Sequence, residues 1–183
     1  MRTLVLGGIR SGKSGYAEGL LDSASSVSYL ATAAVRPDDA EWQRRLLAHQ
    51  RRRPAHWHTH EYGHRPEALP DAVGEGPGKA LLIDDLGGWV TALHDAAGWH
   101  GEPVAAPCHA LTRALAKAPA DSNVVLVSPE TGLSLTPDNP VARRFADALG
   151  AVNQHVAEAC DRVVMVIAGQ PLWIKGGAAP NLP

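Results

Sequence analysis

A glycine-rich loop near the start of the chain constrains the fold more than any other feature. Residues 7–14 read GGIRSGKS and match the pattern G-x-x-x-x-G-K-S. They follow an apolar run, TLVLGG at 3–8, which predicts a buried strand, and they open a segment with helical spacing at 13–23. A strand, this loop and a helix in that order predict a phosphate-binding P-loop.

Each part of the loop has a chemical role in this prediction. The glycines let backbone N–H groups converge on phosphate oxygens, and the helix N-terminus adds a partial positive charge. Lys13 is expected to reach the β- and γ-phosphates, and the Ser14 hydroxyl is expected to bind Mg²⁺. We therefore predict that the chain binds a nucleoside triphosphate. The predicted binding residues of the loop are Gly7, Gly8, Ile9, Arg10, Ser11, Gly12, Lys13 and Ser14.

Acidic residues follow two further apolar runs. Asp84 and Asp85 end the run that starts with ALLI at 80–83, and Glu130 follows NVVLVS at 123–128. In a P-loop protein an acidic residue at the end of a neighbouring strand meets Mg²⁺. We predict this role for Asp84, with Asp85 as the alternative, and a role as a base or an outer acidic group for Glu130. The competing interpretation of each is a solvated loop carboxylate.

Apolar strands alternate with helical segments along the whole chain, which predicts an α/β fold with a mostly parallel sheet covered by helices on both faces. One domain is expected over 1–175, followed by a loose tail at 176–183. Strands are predicted at 3–8, 27–33, 56–60, 123–128 and 162–168, with another in the run from residue 80 to the two aspartates. Helices are predicted at 13–23, 37–52, 89–97 and 103–117, and another is predicted to begin at 136–139.

Composition excludes several classes of function. The net charge is -2, so a broad nucleic-acid surface is not expected. Apolar runs are too short for a membrane span, and the apolar start is too short for a signal peptide. Cys108 and Cys160 fit no CxxC pattern, so we expect reduced thiols in a cytoplasmic protein.

Histidines are the least certain candidates from chemistry alone. His49 precedes the arginines at 51–53, where a small anion would be neutralised, but a lone helical histidine is more often a surface or core residue. His56, His58 and His60 alternate along one predicted strand and suggest a metal site, with Glu61 and His64 nearby. The competing interpretation is that they are ordinary polar side chains.

The complete set of motifs resembles the bifunctional adenosylcobinamide kinase / adenosylcobinamide-phosphate guanylyltransferase family of cobalamin (vitamin B12) biosynthesis. The resemblance runs from about residue 1 to residue 175. Its motifs recur in order: GGIRSGKS, YLATA at 29–33, His49 with RPAHW at 53–57, Thr59-x-Glu61, LLID at 81–84, VS-x-E-x-G at 127–132, ARRF-x-D at 142–147, Gly150-x-x-Asn153-Gln154, then AG-x-P and Lys175.

This resemblance implies a RecA-like P-loop domain that assembles as a homotrimer with sites between subunits. It implies phosphorylation of adenosylcobinamide by ATP or GTP, and then attack of His49 on the α-phosphate of GTP. The resulting GMP-histidine passes its GMP to adenosylcobinamide phosphate, which gives adenosylcobinamide-GDP. The resemblance places the guanine nucleotide against Ala31, Thr32, Ala33, Gln50, Arg51, Arg52, Arg53, Glu61 and Asp84.

Several positions depart from the family pattern. The chain has Asp85 and Gly87 where the family often has D-C-L-T after the fourth strand, Ala92 where it often has Asn, Pro129 before Glu130 where it often reads V-S-N-E, and Gln50 where a basic residue often follows the histidine. These departures lie near the acceptor and metal side, so they bear on the kinase reaction more than on guanylyl transfer. Three alternatives stand beside the bifunctional enzyme, of which the first follows from the departures. They are a guanylyltransferase with an impaired kinase activity, a regulatory P-loop NTPase, and a plain small-molecule kinase in which His49 is structural.

Overall fold

The computed structural model describes residues 1–34, 44, 47, 53–75, 80–135 and 137–177. Its strands are β1 Arg2–Gly7, β2 Val27–Ala31, β3 Trp57–Glu61, β4 Ala80–Asp84, β5 Asn123–Pro129, β6 Arg162–Ile167 and β7 Gln170–Lys175. Its helices are α1 Lys13–Gly19, α2 Leu69–Glu75, α3 Leu86–Ala96, α4 Ala105–Lys117 and α5 Pro140–Ala159, with a 3₁₀ turn at Pro66–Ala68.

The seven described strands form one sheet in the order β3-β2-β4-β5-β1-β6-β7. All neighbouring pairs are parallel except β6 and β7. Crossovers between non-adjacent strands bring β1 to an interior position between β5 and β6. The predicted mostly parallel sheet with flanking helices is confirmed.

Side chains alternate between two cores, one on each face of the sheet, because successive strand residues point to opposite faces. Along β1, Leu4 and Leu6 pack with α3, α4 and α5, and Val5 packs on the opposite face with Ala17 and Leu21. All of these side chains are buried, and Leu4 and Val5 are completely so. Both faces of the sheet are therefore covered by buried apolar side chains, as is typical of parallel sheets.

Strand β7 was not predicted, although it extends the sheet beyond β6. A two-residue turn, Ala168 and Gly169, reverses the chain, and both residues have positive φ values of 50° and 78°. That conformation is typical of a tight hairpin between antiparallel strands. The described strands are thus mostly, not wholly, parallel.

Several predicted boundaries were also wrong by a few residues. Helix α1 ends at Gly19 and β2 ends at Ala31, both earlier than predicted. Helix α3 begins at Leu86 because Asp85 caps it, with the Asp85 carboxylate accepting a hydrogen bond from the Gly88 backbone N–H at 2.7 Å. The helix predicted at 37–52 lies outside the described residues except for Arg44 and Leu47, which are helical.

Of the helices that the structure describes, none is both long enough and apolar enough to cross a membrane. Helix α5 has 20 residues, but charged side chains lie along it. Its C-terminal carbonyl groups are bound by the Lys175 ammonium, which donates to Ala157 O at 2.9 Å and to Glu158 O at 3.1 Å. Strand β7 thereby fastens the end of α5.

The turn between α5 and β6 is fastened to the start of β1 by Asp161. Its carboxylate accepts from the Arg2 backbone N–H and from the Arg2 guanidinium, each at 2.7 Å. These hydrogen bonds lower the pKa of Asp161 from 3.8 to about 2. The Arg2 and Asp161 side chains are 29% and 42% exposed, so solvent screens the pair.

We expect Asp161→Asn to lower the free energy of unfolding by about 0.5–1 kcal/mol at neutral pH. Since the folded pKa lies below the unfolded one, the carboxylate stabilises the protein fully above the unfolded pKa and loses this effect as the pH falls toward the folded pKa. Denaturant unfolding of both proteins between about pH 7 and pH 3 measures the difference. If the difference in unfolding free energy between the two proteins did not shrink below about pH 4, the stabilising role of the Asp161 carboxylate would be contradicted.

Candidate functional site

The residues predicted to bind nucleotide gather where the parallel strands end. Glu61 at the end of β3 pairs with Ala31 of β2, and Ala31 pairs with Asp84 of β4. Gly7, at the end of β1, is in register with Pro129 of β5. Ligands of open α/β sheets bind beyond this carboxyl edge. The sheet topology therefore brings distant motifs of the sequence to one place.

The P-loop is built around two glycines that other residues cannot replace without strain. A Cβ atom at Gly7 would lie 2.4 Å from the Ser11 Oγ and 2.7 Å from the Val166 carbonyl oxygen. Gly12 has a φ of 93° and stands at the N-cap of α1, where no side chain caps the helix. The Lys13 N–H donates to the Ser11 Oγ at 3.3 Å, and the partial positive charge of the N-terminus of α1 is directed at the loop, which fits the phosphates of a nucleotide.

The hairpin between β6 and β7 supports the loop from behind. The Gly169 N–H donates to Ser11 O at 2.8 Å, and a Cβ at Gly12 would lie 3.4 Å from the Gly169 Cα. Gly8, Ile9 and Arg10 are exposed at the tip of the loop. Lys13 is half-buried, with its Nζ 3.5 Å from Gly8 O, at the side of the loop where phosphates would lie.

Asp84 meets the P-loop from β4. The Ser14 hydroxyl donates to Asp84 Oδ1 at 3.4 Å, and the Tyr29 hydroxyl donates to Asp84 Oδ2 at 2.7 Å. A serine hydroxyl and a carboxylate side by side supply the oxygen ligands that Mg²⁺ prefers. The two residues predicted as the metal site are therefore adjacent, and their donor set fits that ion.

Asp85 has a different environment, although it follows Asp84 directly. Its Oδ1 caps α3, and its carbonyl oxygen accepts from the Thr32 hydroxyl at 2.5 Å. Loss of hydration, and then the nearby charge of Asp84, raise the pKa of Asp85. Asp85 therefore connects α3 to the segment after β2, whereas Asp84 faces Ser14.

The segment 31–33, predicted to contact the guanine nucleotide, is closely packed. A Cβ at Gly63 would lie 2.4 Å from Ala33 O, and a Cβ at Gly88 would lie 3.2 Å from the Ala33 Cα. Thr32 is buried, while Ala31 and Ala33 are half-buried. Glycines on both sides therefore let the backbone of this segment fit between β3 and α3.

Arg53 lies over the ring of Tyr29, with its Cζ 3.3 Å from the ring centroid. It also donates to Thr59 Oγ1 at 3.3 Å, whereas its buried Nε meets no acceptor among the described residues. Glu61 is exposed at the end of the edge strand β3. His49, Gln50, Arg51 and Arg52 lie outside the described residues, so their predicted roles stay predictions.

Glu130 begins the chain segment that leaves β5 beside the P-loop. Its backbone N–H donates to Gly7 O at 3.1 Å, and its carboxylate accepts from the Gly132 N–H at 2.6 Å. The residue is half-buried. Its location next to the loop fits the predicted role as a base or outer acidic group, which stays a prediction.

The histidines between 56 and 64 are all exposed, and two of them, His58 and His60, lie on β3. Within the described ranges, no three His, Cys, Asp or Glu side chains are arranged to hold a metal ion. His58 and His60 alternate because they lie two residues apart on a strand, and β3 is at the edge of the sheet, where exposed side chains are expected.

Gly87 and Pro129, which both depart from the family pattern, lie against each other. A Cβ at Gly87 would lie 2.8 Å from the Pro129 Cγ and 3.1 Å from its Cδ. A residue with a side chain at position 87, as in the family pattern, would therefore collide with proline at 129. Gly87 and Pro129 form a complementary pair that keeps α3 packed against the end of β5.

Sequence reasoning missed two contributors to this site. Tyr29 was noted only as part of the YLATA motif, and Gly169 only as part of AG-x-P. The signal for Gly169 was a two-residue turn with glycine directly after an apolar strand. No local pattern identifies Tyr29, because its partner Asp84 is 55 residues away in the sequence.

The fold and the loop together define a P-loop nucleotide-binding protein of the RecA-like kind. A solved structure of a prototypical ATPase from the type III secretion system of pathogenic bacteria superposes with a TM-score of 0.53 at 13% sequence identity. The match covers 90% of this chain and 51% of the ATPase, so the chain spans about half of that protein. At this identity the likeness concerns the fold alone.

The model of the cobinamide kinase / cobinamide phosphate guanyltransferase family matches residues 3–174. The bifunctional adenosylcobalamin biosynthesis protein CobP of Pseudomonas aeruginosa is 41% identical over 96% of this chain and 98% of its own length. The corresponding protein CobU of Salmonella typhimurium is 37% identical over 96% of this chain and all of its own length. The chain belongs to this family, and neither a regulatory NTPase nor a guanylyltransferase with an impaired kinase activity is favoured.

We expect Asp84→Asn to raise the Mg²⁺ concentration for half-maximal activity at least about tenfold, the lower limit for groups that merely support a metal ligand. Asp85→Asn is the matched control, because its amide oxygen can still accept from Gly88. Its Mg²⁺ requirement is expected to change less. Initial rates measured against Mg²⁺ concentration test both variants. The reverse ranking would transfer the metal role to Asp85.

Proposed function

We propose that this chain phosphorylates adenosylcobinamide with ATP or GTP and then transfers GMP from GTP to the product, giving adenosylcobinamide-GDP. The observation that carries the proposal is the contact between the Ser14 Oγ and the Asp84 Oδ1. These atoms lie 3.4 Å apart, beside a P-loop that has the family's sequence. Family membership supports the substrates, and the geometry supports transfer of a phosphate group at this edge.

In the first reaction the γ-phosphoryl group passes to the aminopropanol hydroxyl of adenosylcobinamide. Lys13 and the backbone N–H groups of the loop hold the triphosphate, while Ser14 and Asp84 would hold Mg²⁺. When bound, Mg²⁺ neutralises charge that develops on the phosphate oxygens. The acceptor hydroxyl loses its proton as its oxygen bonds to phosphorus, and ADP or GDP leaves. Glu130, next to Gly7, is the nearby candidate for taking that proton.

In the second reaction the imidazole of His49 attacks the α-phosphorus of GTP, and pyrophosphate leaves. A neutral imidazole is required for attack, and the arginines at 51–53 disfavour its charged form while they neutralise phosphate charge. Protonation of the phosphoramidate nitrogen then makes histidine a good leaving group. A phosphate oxygen of the phosphorylated corrinoid takes the GMP and regenerates His49.

The guanine nucleotide is proposed to lie along the β2 and β3 side of the edge. Ala31 at the end of β2, with Thr32 and Ala33 after it, lines one side, and Arg53 before β3 and Glu61 at the end of β3 line the other. Arg53 supports this assignment because its Nε is buried and finds no acceptor among the described residues. Gln50, Arg51 and Arg52 complete the proposed set.

We also propose a homotrimer with sites between subunits, located in the cytoplasm. Large apolar side chains are highly exposed in the P-loop and in the segment that follows Glu130, namely Ile9 at 91%, Leu133 at 83% and Leu135 at 93%. Such exposure fits a site that another subunit completes. Cys108 and Cys160 are buried free thiols, which fits a reducing compartment.

Replacing His49 with Asn is expected to separate the two reactions. No radioactivity from [α-³²P]GTP should remain on the chain, and adenosylcobinamide phosphate should accumulate when ATP and Mg²⁺ are supplied. The reason is that γ-phosphoryl transfer needs only the P-loop, the metal ion and an oriented acceptor hydroxyl. In the wild-type protein the label should be acid-labile and alkali-stable, as a phosphoramidate is.

His109→Asn serves as the control, because His109 is exposed on α4. It should label and transfer GMP normally. GMP transfer at a normal rate in the His49 variant would contradict the proposed intermediate and would make the histidines at 56–60 the next candidates. Loss of both activities with an intact fold would mean that His49 positions the nucleotide for both steps.

A further inference from the structure

Tyr29 is a core residue with a polar end at the proposed metal site. Its side chain is 2% exposed and packs with the buried layer beneath α1. In the register of the parallel strands, Tyr29 pairs with Leu82, and Ala31 pairs with Asp84. Residues 29 and 84 therefore lie on the same face of adjacent strands, offset by two residues, within reach of a long aromatic side chain.

The two oxygens of the Asp84 carboxylate have different neighbours. The Tyr29 hydroxyl donates to Oδ2 at 2.7 Å, and the Ser14 hydroxyl lies 3.4 Å from Oδ1. A short hydrogen bond to one oxygen restricts rotation of the carboxylate, so the other oxygen stays directed toward the P-loop.

Two further side chains contact the Tyr29 ring. The Arg53 guanidinium lies 3.3 Å above the centroid of the Tyr29 ring, within the range of a cation–π interaction. The Trp57 ring is tilted against it with a centroid separation of 6.5 Å. These two neighbouring side chains restrict the orientation of the ring and therefore of its hydroxyl.

We propose that Tyr29 is a positioning residue that orients Asp84 toward the metal ion bound with the triphosphate. This inference rests on the proposed function, in which Asp84 and Ser14 hold Mg²⁺. Tyr29 does not touch the substrate in this account; it acts through the carboxylate. Groups that hold a metal ligand in orientation affect metal affinity about 10–100-fold in other proteins.

The test measures binding, not turnover, with the α,β-methylene analogue of GTP, which cannot release pyrophosphate, and with no corrinoid present. Affinity is measured by calorimetry first in EDTA and then over a range of Mg²⁺ concentrations. Tyr29→Phe keeps the ring beneath Arg53 and removes only the hydroxyl. We expect unchanged affinity in EDTA and a roughly tenfold higher Mg²⁺ concentration for half-maximal tightening.

Tyr62→Phe is the matched control, since Tyr62 also has an arginine above its ring, with the Arg65 Cζ at 5.1 Å from the centroid. Its Mg²⁺ requirement should equal that of the wild type. A merely structural role of the Tyr29 hydroxyl would lower the melting temperature and leave the Mg²⁺ requirement unchanged. That result would overturn the inference.

Asp84→Asn in the same assay separates failure of this inference from failure of the proposed function. If Asp84→Asn shifts the Mg²⁺ requirement and Tyr29→Phe does not, only the role of Tyr29 is wrong. If neither variant shifts it, the metal site itself is wrongly assigned, and both proposals fall. A loss of affinity in EDTA for Tyr29→Phe would also overturn the inference, because it would place Tyr29 in triphosphate binding.

Discussion

The bend of the chain between β1 and α1 depends on the missing side chain at Gly7, where a Cβ would collide with both Ser11 and the Val166 carbonyl. Because Gly7 is buried at the end of an interior strand, the loop closes directly over the sheet edge. Lys13 and Ser14 then follow at the first turn of α1, facing β4. Two other proposed catalytic groups contact this loop: Asp84 through the Ser14 hydroxyl, and Glu130 through a backbone hydrogen bond to Gly7 O.

Further contacts connect the elements that meet at this edge of the sheet. Asp85 caps α3 and binds Thr32, so β2, β4 and α3 meet at one carboxylate residue. The β6–β7 hairpin supports the loop through Gly169. Tyr29 touches Asp84 through its hydroxyl and Arg53 through its ring, so a residue of the proposed nucleotide segment and a residue of the proposed metal site share one neighbour.

Much of the fold could be predicted from local sequence because each apolar run ends in a recognisable motif. Gly7, Ser14 and Asp84 stand at strand ends or helix starts, where glycine spacing and acidic residues have few alternative explanations. Strand β7 was missed because its residues are largely exposed at the sheet edge and show no strong alternation. The role of Tyr29 depends on the register between β2 and β4, which tertiary packing determines and no short motif encodes.

The central claim is that one P-loop binds the nucleotide for both transfer reactions, and Lys13→Ala tests it most directly. The substitution removes the positive charge that faces the β- and γ-phosphates and keeps the glycine backbone. One preparation is assayed for phosphorylation of adenosylcobinamide and for labelling by [α-³²P]GTP. Both activities are expected to fall together to near background. A variant that no longer phosphorylates the corrinoid yet labels at the wild-type rate would contradict the central claim, because the two reactions would then use separate nucleotide sites.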